Sequence, residues 1–106
     1  FVCENGIWVE REGRFRDKNG QIQDDYRIQF VSQHLAWIAK AIEDGAQCLG
    51  YHYWGLIDNW SWSNAFKNRY GFIEVDLMDN YKRHFKKSAS WFREVVDSKA
   101  IDTNIE

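Results

Sequence analysis

The sequence predicts an α/β fold in which two short strands lie parallel and each is followed by a helix. Apolar segments at 1–4 and 46–54 precede long polar loops, and helical periodicity follows the loops. Two successive strand–helix units place their strands side by side with a right-handed crossover. Such a pair is too small to cover its own faces, so we expect neighbours from more chain or from other copies.

The first strand, expected over residues 1–4, ends at a carboxylate. Apolar residues lead to Glu4, and an Asn-Gly pair then interrupts the chain. Residues 5–24 are rich in Gly, Asp, Asn, Arg and Gln and predict a long, functional or mobile loop. Because α/β enzymes keep their chemistry at the C-terminal ends of parallel strands, Glu4 is a candidate catalytic group. The structural alternative is an ion pair with Arg11 or Arg14.

Residues 26–44 carry the clearest helical signal. Apolar side chains recur at spacings of three and four and form one stripe: Ile28, Val31, Leu35, Ile38 and Ile42. Asp24 or Asp25 can cap the start of this helix, and Gly45 can end it. The charged face is expected to carry Arg27, Lys40 and Glu43.

The second half of the chain is predicted to contain short strands, loops and a final helix. The expected segments are a strand over 46–54, a loop over 55–70, a strand over 71–75, a turn over 76–80, a helix over 88–96 and a frayed tail over 97–106. Ser88 is the expected helix cap. His52, inside the second strand, is expected to be a hydrogen-bonded core histidine.

Composition limits the partners of this chain. Its 106 residues suffice for one small domain, and 14 Lys and Arg against 16 Asp and Glu give a net charge of −2. There is no basic stripe for nucleic acid, no polybasic run for a membrane surface and no apolar run of about 18 residues. The chain begins with Phe and lacks a basic n-region, so we expect no signal peptide and a processed or partial product.

The cysteines give no sign of a metal or cofactor site. Cys3 and Cys48 both sit in apolar stretches and are expected to be reduced and buried. No CxxC motif and no His/Cys cluster with metal-ligand spacing is present. We therefore expect a cytoplasmic protein without metal or cofactor.

Tryptophans and short polar residues alternate after the second strand. Trp54, Trp60 and Trp62 fall within nine residues, with Asp58, Asn59 and Ser61 between them. Flat rings can stack on the apolar faces of sugars while the polar groups bind hydroxyls, so this segment favours a sugar site. The alternative is an aromatic plug of the core under a loop.

A basic pair lies just beyond the tryptophans. Lys67, Arg69 and Tyr70, together with Ser61, could bind an anion such as a phosphate. The alternative is a solvated turn with a buried tyrosine.

Several ordered motifs resemble the C-terminal quarter of glycoside hydrolase family 1, the β-glucosidase and 6-phospho-β-glycosidase family. They are Glu4-Asn5-Gly6, the segment from Trp54 to Trp62, the segment from Asn68 to Asp76, and Lys86-Lys87-Ser88-Ala89 with Trp91-Phe92. The resemblance covers nearly the whole chain. It implies that residues 1–106 are a partial (β/α)₈ TIM barrel made of strand 7, helix 7, strand 8 and helix 8.

The resemblance also implies a retaining glycosidase in which Glu4 is the nucleophile. Such chemistry needs a second carboxyl, about 5 Å away, that gives and then takes a proton. In the family that group belongs to an Asn-Glu-Pro motif, and this chain has no proline. We therefore expect the isolated chain to be inactive.

The same resemblance assigns substrate contacts. Trp54 and Trp62 match glycone-binding tryptophans, and Ser61 stands where β-glucosidases have a Glu that would repel a 6-phosphate. Ser61 and Tyr70 resemble the 6-phospho-β-glycosidase branch, and Ser61-Trp62-Ser63-Asn64 is most similar to its 6-phospho-β-galactosidases. The phosphate-binding Lys of that branch falls at Asn68, one residue from Lys67. The implied substrate is a β-glycoside or a 6-phospho-β-glycoside.

Two alternatives to a fragment of a longer hydrolase remain for a chain of this length, one non-catalytic and one based on assembly. It could be a sugar-binding remnant that keeps part of the glycone pocket. It could also be one subunit of a split barrel that is completed by other chains or by further copies of itself. A (β/α)₈ barrel needs at least about 200 residues.

Overall fold

The computed structural model describes residues 1–101, which form six short strands, one 3₁₀ turn and two helices. Their bounds are β1 Val2–Asn5, β2 Val9–Glu10, the 3₁₀ turn Glu12–Phe15, α1 Asp25–Glu43, β3 Tyr51–Tyr53, β4 Asn68–Arg69, β5 Ile73–Asp76, β6 Lys82–Phe85 and α2 Lys87–Ser98. The expected frayed tail over 97–106 begins inside α2, and its last part, 102–106, lies outside the described residues.

The predicted parallel pair is confirmed. β1 and β3 run parallel, with Val2 opposite Tyr51 and Asn5 opposite Tyr53, and α1 lies between them along the chain. β3 is shorter than the expected 46–54, because regular pairing extends only as far as β1 offers backbone partners. The residues before it are open to solvent, as the 84% exposure of Leu49 illustrates.

Two antiparallel pairs lie in segments where the sequence predicted loops or a single strand. β2 pairs with β4 inside the expected loops, with Val9 opposite Arg69. β5 pairs with β6 in a hairpin. The sequence Lys-Arg-His-Phe of β6 has no apolar alternation, and all four side chains are exposed. Its pairing therefore comes from the tight turn before it rather than from burial.

α1 has the predicted bounds to within one residue, but one predicted face is wrong. Val31 and Ala36 are buried, whereas Ile42 at the far end is 46% exposed. Arg27, expected on the charged face, is fully buried. Two carboxylates compensate the charge of its guanidinium: Glu12, from the 3₁₀ turn, and Asp24, from the start of the helix. Burial therefore does not leave the charge unpaired.

Gly45 ends α1 as predicted, with a φ of 104° just after the helix, but the predicted N-terminal capping hydrogen bonds are not made. Asp24 occupies the N-cap position of α1 but makes no capping hydrogen bond. Its carboxylate instead accepts hydrogen bonds from Arg27 and from both the backbone N–H and the hydroxyl of Ser88. Ser88 lies in the first turn of α2, and Lys86 holds the N-cap position. Asp24 thus joins the starts of the two helices.

A buried network of charges occupies the middle of the molecule. Lys86 Nζ lies 3.1 Å from Glu12 Oε2 and 2.7 Å from Asp58 Oδ1. Arg27 Nη1 lies 2.7 Å from Glu12 Oε1, and Arg69 Nη1 lies 3.1 Å from Asp58 Oδ2. With Asp24 the network contains three cations and three carboxylates, so its formal charge balances. It ties the 3₁₀ turn after β2 and the loop after β3 to both helices and to β4.

The apolar core is small. Its buried members are Ile22, Val31, Ala36, Phe72 and Val75. Phe72 extends it by stacking between Tyr53 and Phe92, at ring-centroid distances of 4.1 Å and 4.8 Å. Many large apolar side chains stay exposed, and the exposure of Cys3 and His52 shows that the β1–β3 pair is incompletely covered.

The incomplete cover of the β1–β3 pair overturns two predictions of burial. His52 in β3 is exposed and contacts only the ring of Phe1 among aromatic groups of the described residues, at a centroid distance of 5.8 Å. Cys3 in β1 is exposed and Cys48 is half-buried, and both are free thiols. The sequence pattern treated these positions as core, but the described chain supplies no layer to pack on them.

Three tyrosines predict a loss of stability at alkaline pH. Burial raises the pKa of Tyr26, Tyr51 and Tyr53, and Arg27 partly offsets this at Tyr53. A phenol whose folded pKa exceeds its unfolded value of about 10 stabilises the fold fully below that pH and progressively less above it. The free energy of unfolding, measured with urea at stepped pH, should fall above about pH 10. A constant value up to about pH 12 would contradict this.

Neither helix within residues 1–101 combines the length and the apolar character that crossing a bilayer requires. Over the same residues, His, Cys, Asp and Glu side chains do not gather into a group of three or more that could hold a metal ion.

Candidate active site

Backbone contacts bring the end of β1 against Trp54. The N–H of Trp54 donates to the carbonyl of Asn5 at 2.9 Å. A Cβ on Gly6 would lie 1.9 Å from the carbonyl oxygen of Trp54. Only glycine permits this approach, so the Glu-Asn-Gly sequence fixes how closely Glu4 and Trp54 can sit.

An open cavity of about 470 Å³ lies beside that contact. It is lined by Glu4, Trp54, Asn59, Trp60, Ser61, Trp62 and Ser63. The structure therefore brings together four of the predicted site residues, Glu4, Trp54, Ser61 and Trp62, in one concave surface. Such a surface, with a few polar groups among rings, is typical of a small-molecule site.

Glu4 is exposed to this cavity. Among residues 1–101 it makes no ion pair, so the alternative of a pair with Arg11 or Arg14 is not observed. Its neighbour Asn5 is held by Tyr51, whose hydroxyl donates to Asn5 Oδ1 at 2.8 Å. Tyr51 was not singled out from the sequence, because only the register of β1 and β3 brings it to Asn5.

The three tryptophans do not plug the core. Trp54 is 39% exposed, Trp60 58% and Trp62 94%. The alternative of an aromatic plug is therefore wrong, because these side chains lie around the cavity rather than beneath it. Their exposed faces can accept the apolar side of a flat ligand ring.

A tight turn presents Ser61. Its N–H donates to the carbonyl of Ala65 at 2.8 Å, and the N–H of Ala65 donates back at 2.9 Å. Ala65 has a φ of 50°, which closes the turn. Ser61 is half-buried at the cavity wall, with its neighbours Trp60 and Trp62 on either side along the chain.

Tyr70 lies next to Trp54 but does not line the cavity. The two rings meet edge-on, with centroids 5.0 Å apart and planes at 78°. This is a favourable arrangement for two aromatic rings. Tyr70 therefore supports the tryptophan from the side.

Lys67 and Arg69 are placed apart from Glu4. Lys67 Nζ lies 2.8 Å from Glu10 Oε1, and this exposed pair lowers the pKa of Glu10. Both basic residues line a separate cavity of about 380 Å³ with Arg11 and Arg16. Arg69 is occupied by Asp58 and by the carbonyl of Val75 at 2.9 Å. Lys67 and Arg69 therefore line a different cavity from Ser61, and the predicted anion site that combines them is not formed in this structure.

Asp58 has a different position from the one its spacing suggested. It was grouped with the polar residues between the tryptophans, yet it is 4% exposed and belongs to the buried charge network. Asn59, by contrast, lines the cavity. No local sequence signal separates the two, since the difference lies in the distant partner Lys86.

Comparison with known proteins gives these features a context. The profile of Glycosyl hydrolase family 1 matches residues 1–101. The 6-phospho-beta-glucosidase GmuD of Bacillus subtilis (strain 168) is 56% identical over 97 residues, which are 92% of this chain and 21% of that protein. The 6-phospho-beta-galactosidase of Staphylococcus aureus (strain N315) is 43% identical over 101 residues, 95% of this chain and 21% of that protein. The chain thus spans about a fifth of the length of these curated relatives.

Solved structures agree with the fold. The family 1 β-glucosidase of Thermotoga maritima superposes with a TM-score of 0.82 at 30% identity, over 93% of this chain and 21% of its own. The GH1 β-glucosidase of Exiguobacterium antarcticum B7 superposes with a TM-score of 0.81 at 34% identity, over 92% and 21%. The expected partial barrel is confirmed, while the assignment to strands 7 and 8 stays a prediction. Because the family profile extends over every described residue, the chain belongs to glycosyl hydrolase family 1.

Proposed function

We propose that this chain supplies the nucleophile and the glycone-binding wall of a retaining β-glycosidase site for 6-phospho-β-glycosides. The observation that carries the proposal is that Glu4 lines the same cavity as Trp54, Ser61 and Trp62. The names of the relatives, a 6-phospho-β-glucosidase and a 6-phospho-β-galactosidase, support the substrate class. In this proposal β1 and β3 correspond to barrel strands 7 and 8, and α1 and α2 to helices 7 and 8.

The proposed chemistry needs two carboxyl groups. Glu4 would attack the anomeric carbon and form a glycosyl-enzyme, while a second carboxyl protonates the leaving oxygen and later activates water. Among the described residues that line the cavity, Glu4 is the one carboxylate. General acid–base catalysis contributes about 10²- to 10⁴-fold. We therefore propose that the chain alone has negligible hydrolytic activity.

The preference for a 6-phosphate rests on Ser61. A serine hydroxyl can donate a hydrogen bond to a phosphate oxygen, whereas a carboxylate there would repel it. Trp54 and Trp62 would stack on the sugar ring, and Tyr70 would contribute its phenol beside Trp54. Lys67 can join only if it leaves Glu10, so its predicted role in phosphate binding stays a separate proposal.

The test introduces a negative charge at position 61. In a titration followed by NMR, glucose 6-phosphate and galactose 6-phosphate should perturb the cavity residues at lower concentration than the neutral sugars. Ser61→Glu should weaken the response to the phosphosugars about tenfold or more, because two like charges then lie close together. Asn64→Glu is the matched control, since it puts the same charge on the same loop at an exposed residue that does not line the cavity.

Three outcomes would contradict the proposal. Equal responses to phosphorylated and neutral sugars would argue for plain glycoside binding. Equal effects of Ser61→Glu and Asn64→Glu would remove the specific role of Ser61. Turnover of p-nitrophenyl 6-phospho-β-glycosides by the chain alone would overturn the proposed inactivity.

A second candidate function is assembly into a split barrel. The observation that favours it is the two-stranded β1–β3 sheet, which within residues 1–101 has no strand on either outer edge. Parallel sheets are almost always covered on both faces, and open edges pair readily with other strands. The occupant would be a chain with the remaining barrel strands, or further copies of this chain. A sugar-binding remnant without any partner is the third reading of the same cavity.

A further inference from the structure

We propose that Tyr53 and Asp58 are positioning residues that clamp the peptide unit between Tyr70 and Gly71 and thereby hold Tyr70 against Trp54. Neither residue lines the sugar cavity. The importance of the clamp for ligand binding rests on the proposed function, but the clamp itself is a property of the fold.

Both polar groups of that one peptide unit are bound by side chains. The hydroxyl of Tyr53 donates to the carbonyl of Tyr70 at 2.8 Å. The N–H of Gly71 donates to Asp58 Oδ1 at 3.0 Å. A peptide unit fixed at its C=O and at its N–H cannot rotate without breaking two hydrogen bonds, and the second of these is buried.

Each side chain of the clamp is fixed by the buried charge network. Arg27 Nε donates to the hydroxyl of Tyr53 at 3.0 Å, which leaves the phenolic proton for Tyr70. Lys86 Nζ lies 2.7 Å from Asp58 Oδ1. Arg27 and Lys86 both pair with the carboxylate of Glu12, so Tyr53 and Asp58 are held by the same buried group.

The clamp also requires a glycine at position 71. A Cβ on Gly71 would lie 2.3 Å from the backbone nitrogen of Asp58 and 2.5 Å from the carbonyl carbon of Ile57. Because both contacts are to backbone, no side chain can move aside. The close approach leaves the peptide little room to rotate.

The clamp therefore sets the position of two rings at the cavity. The Tyr70 ring meets Trp54 edge-on at a centroid distance of 5.0 Å. Trp54 in turn lines the cavity beside Glu4. Without these two hydrogen bonds the backbone at Tyr70 could shift, which would move the Tyr70 ring and leave one side of Trp54 unsupported. The hydroxyl of Tyr53 would thus influence the position of the Trp54 ring indirectly, through Tyr70.

The experiment uses the whole chain with its six tryptophans replaced by 5-fluorotryptophan. The ¹⁹F resonance of Trp54 is assigned by its loss in Trp54→Phe. Tyr53→Phe keeps the ring stacked on Phe72 and removes only the hydroxyl. It should shift or broaden the Trp54 resonance while most other tryptophan resonances keep their positions. Val31→Ala is the control for stability, because it removes buried apolar atoms from α1 without touching a hydrogen bond of the clamp. It should leave the Trp54 resonance in place.

The readouts separate positioning from general stability and from ligand binding. Similar losses of thermal stability in the two variants, with a change at Trp54 only in Tyr53→Phe, would support the clamp. An unchanged Trp54 resonance in folded Tyr53→Phe would overturn it. If that resonance moves in Tyr53→Phe but glucose 6-phosphate never perturbs it in the unaltered chain, the clamp stands and the proposed function fails.

A second measurement needs no variant. In the unaltered chain the amide of Gly71 should exchange with deuterated solvent many times more slowly than the exposed amides of the turn before β6, because Asp58 accepts its hydrogen bond in a buried setting. Exchange of Gly71 as fast as those amides would overturn the proposal even if Tyr53→Phe does not fold.

Discussion

Replacement of Arg27 by methionine should unfold the chain under conditions in which the unaltered chain is folded. Arg27 Nη1 lies 2.7 Å from Glu12 and 2.6 Å from Asp24, and all three side chains are buried. Methionine keeps much of the length of the side chain but leaves the carboxylates with less compensation. Removing one partner of a buried ion pair costs about 3–5 kcal/mol. That is a large part of the roughly 5–15 kcal/mol that stabilises a natural domain.

The matching change at an exposed ion pair, Lys40→Met, shows how much of the effect on the free energy of unfolding is due to burial. Lys40 Nζ lies 2.9 Å from Asp44 Oδ1, but both side chains are more than half exposed. Lys40→Met should therefore change the free energy of unfolding by at most about 1 kcal/mol. Urea unfolding followed by circular dichroism compares the two variants. Similar midpoints for Arg27→Met and Lys40→Met would show that the buried network contributes little to stability.

Arg27 also shows what the sequence could and could not predict about the fold. The helix that contains it was predicted from a local apolar stripe, and its bounds were right to within one residue. Its burial could not be predicted, because the compensating charge on Glu12 lies in a segment that reads as a loop. β2 and β4 were missed for the same reason, since each has two residues and its partner lies far along the chain.

The residues of the candidate site also differ in how far the sequence could predict their positions. The position of Glu4 before an Asn-Gly pair and the spacing of the tryptophans are local signals, and the four residues they identified do share one cavity. The position of Lys67 depends on the register of β2 with β4, which brings Glu10 within reach of it. The separate roles of Asp58 and Asn59 depend on Lys86. Sequence signals thus identified exposed groups near strand ends, while buried charges required the tertiary structure.

Assembly with the missing part of the barrel should produce hydrolysis that depends on Glu4. The partner in this experiment is a polypeptide that carries the remainder of a family 1 enzyme, including its acid/base carboxyl, co-expressed with this chain. Its strands should pair with the open edges of the β1–β3 sheet, and the side chains and helices of the completed barrel would cover the faces of β1 and β3. Sedimentation velocity should show one complex of the two chains, and self-association when this chain is alone. A compact monomer of the chain alone would contradict the expected self-association.

Activity in that complex distinguishes a catalytic role of Glu4 from a structural one. Glu4→Gln keeps the size of the side chain but removes the carboxylate that, in the proposed function, attacks the anomeric carbon. Hydrolysis of a p-nitrophenyl 6-phospho-β-glycoside should then fall on the order of 10⁴-fold or more. Glu43→Gln, the same change at an exposed position at the end of α1, should leave the rate unchanged. The complex should form equally well with either variant, because Glu4 makes no ion pair among residues 1–101. A complex that forms with Glu4→Gln and hydrolyses the substrate at the unaltered rate would exclude Glu4 as the nucleophile.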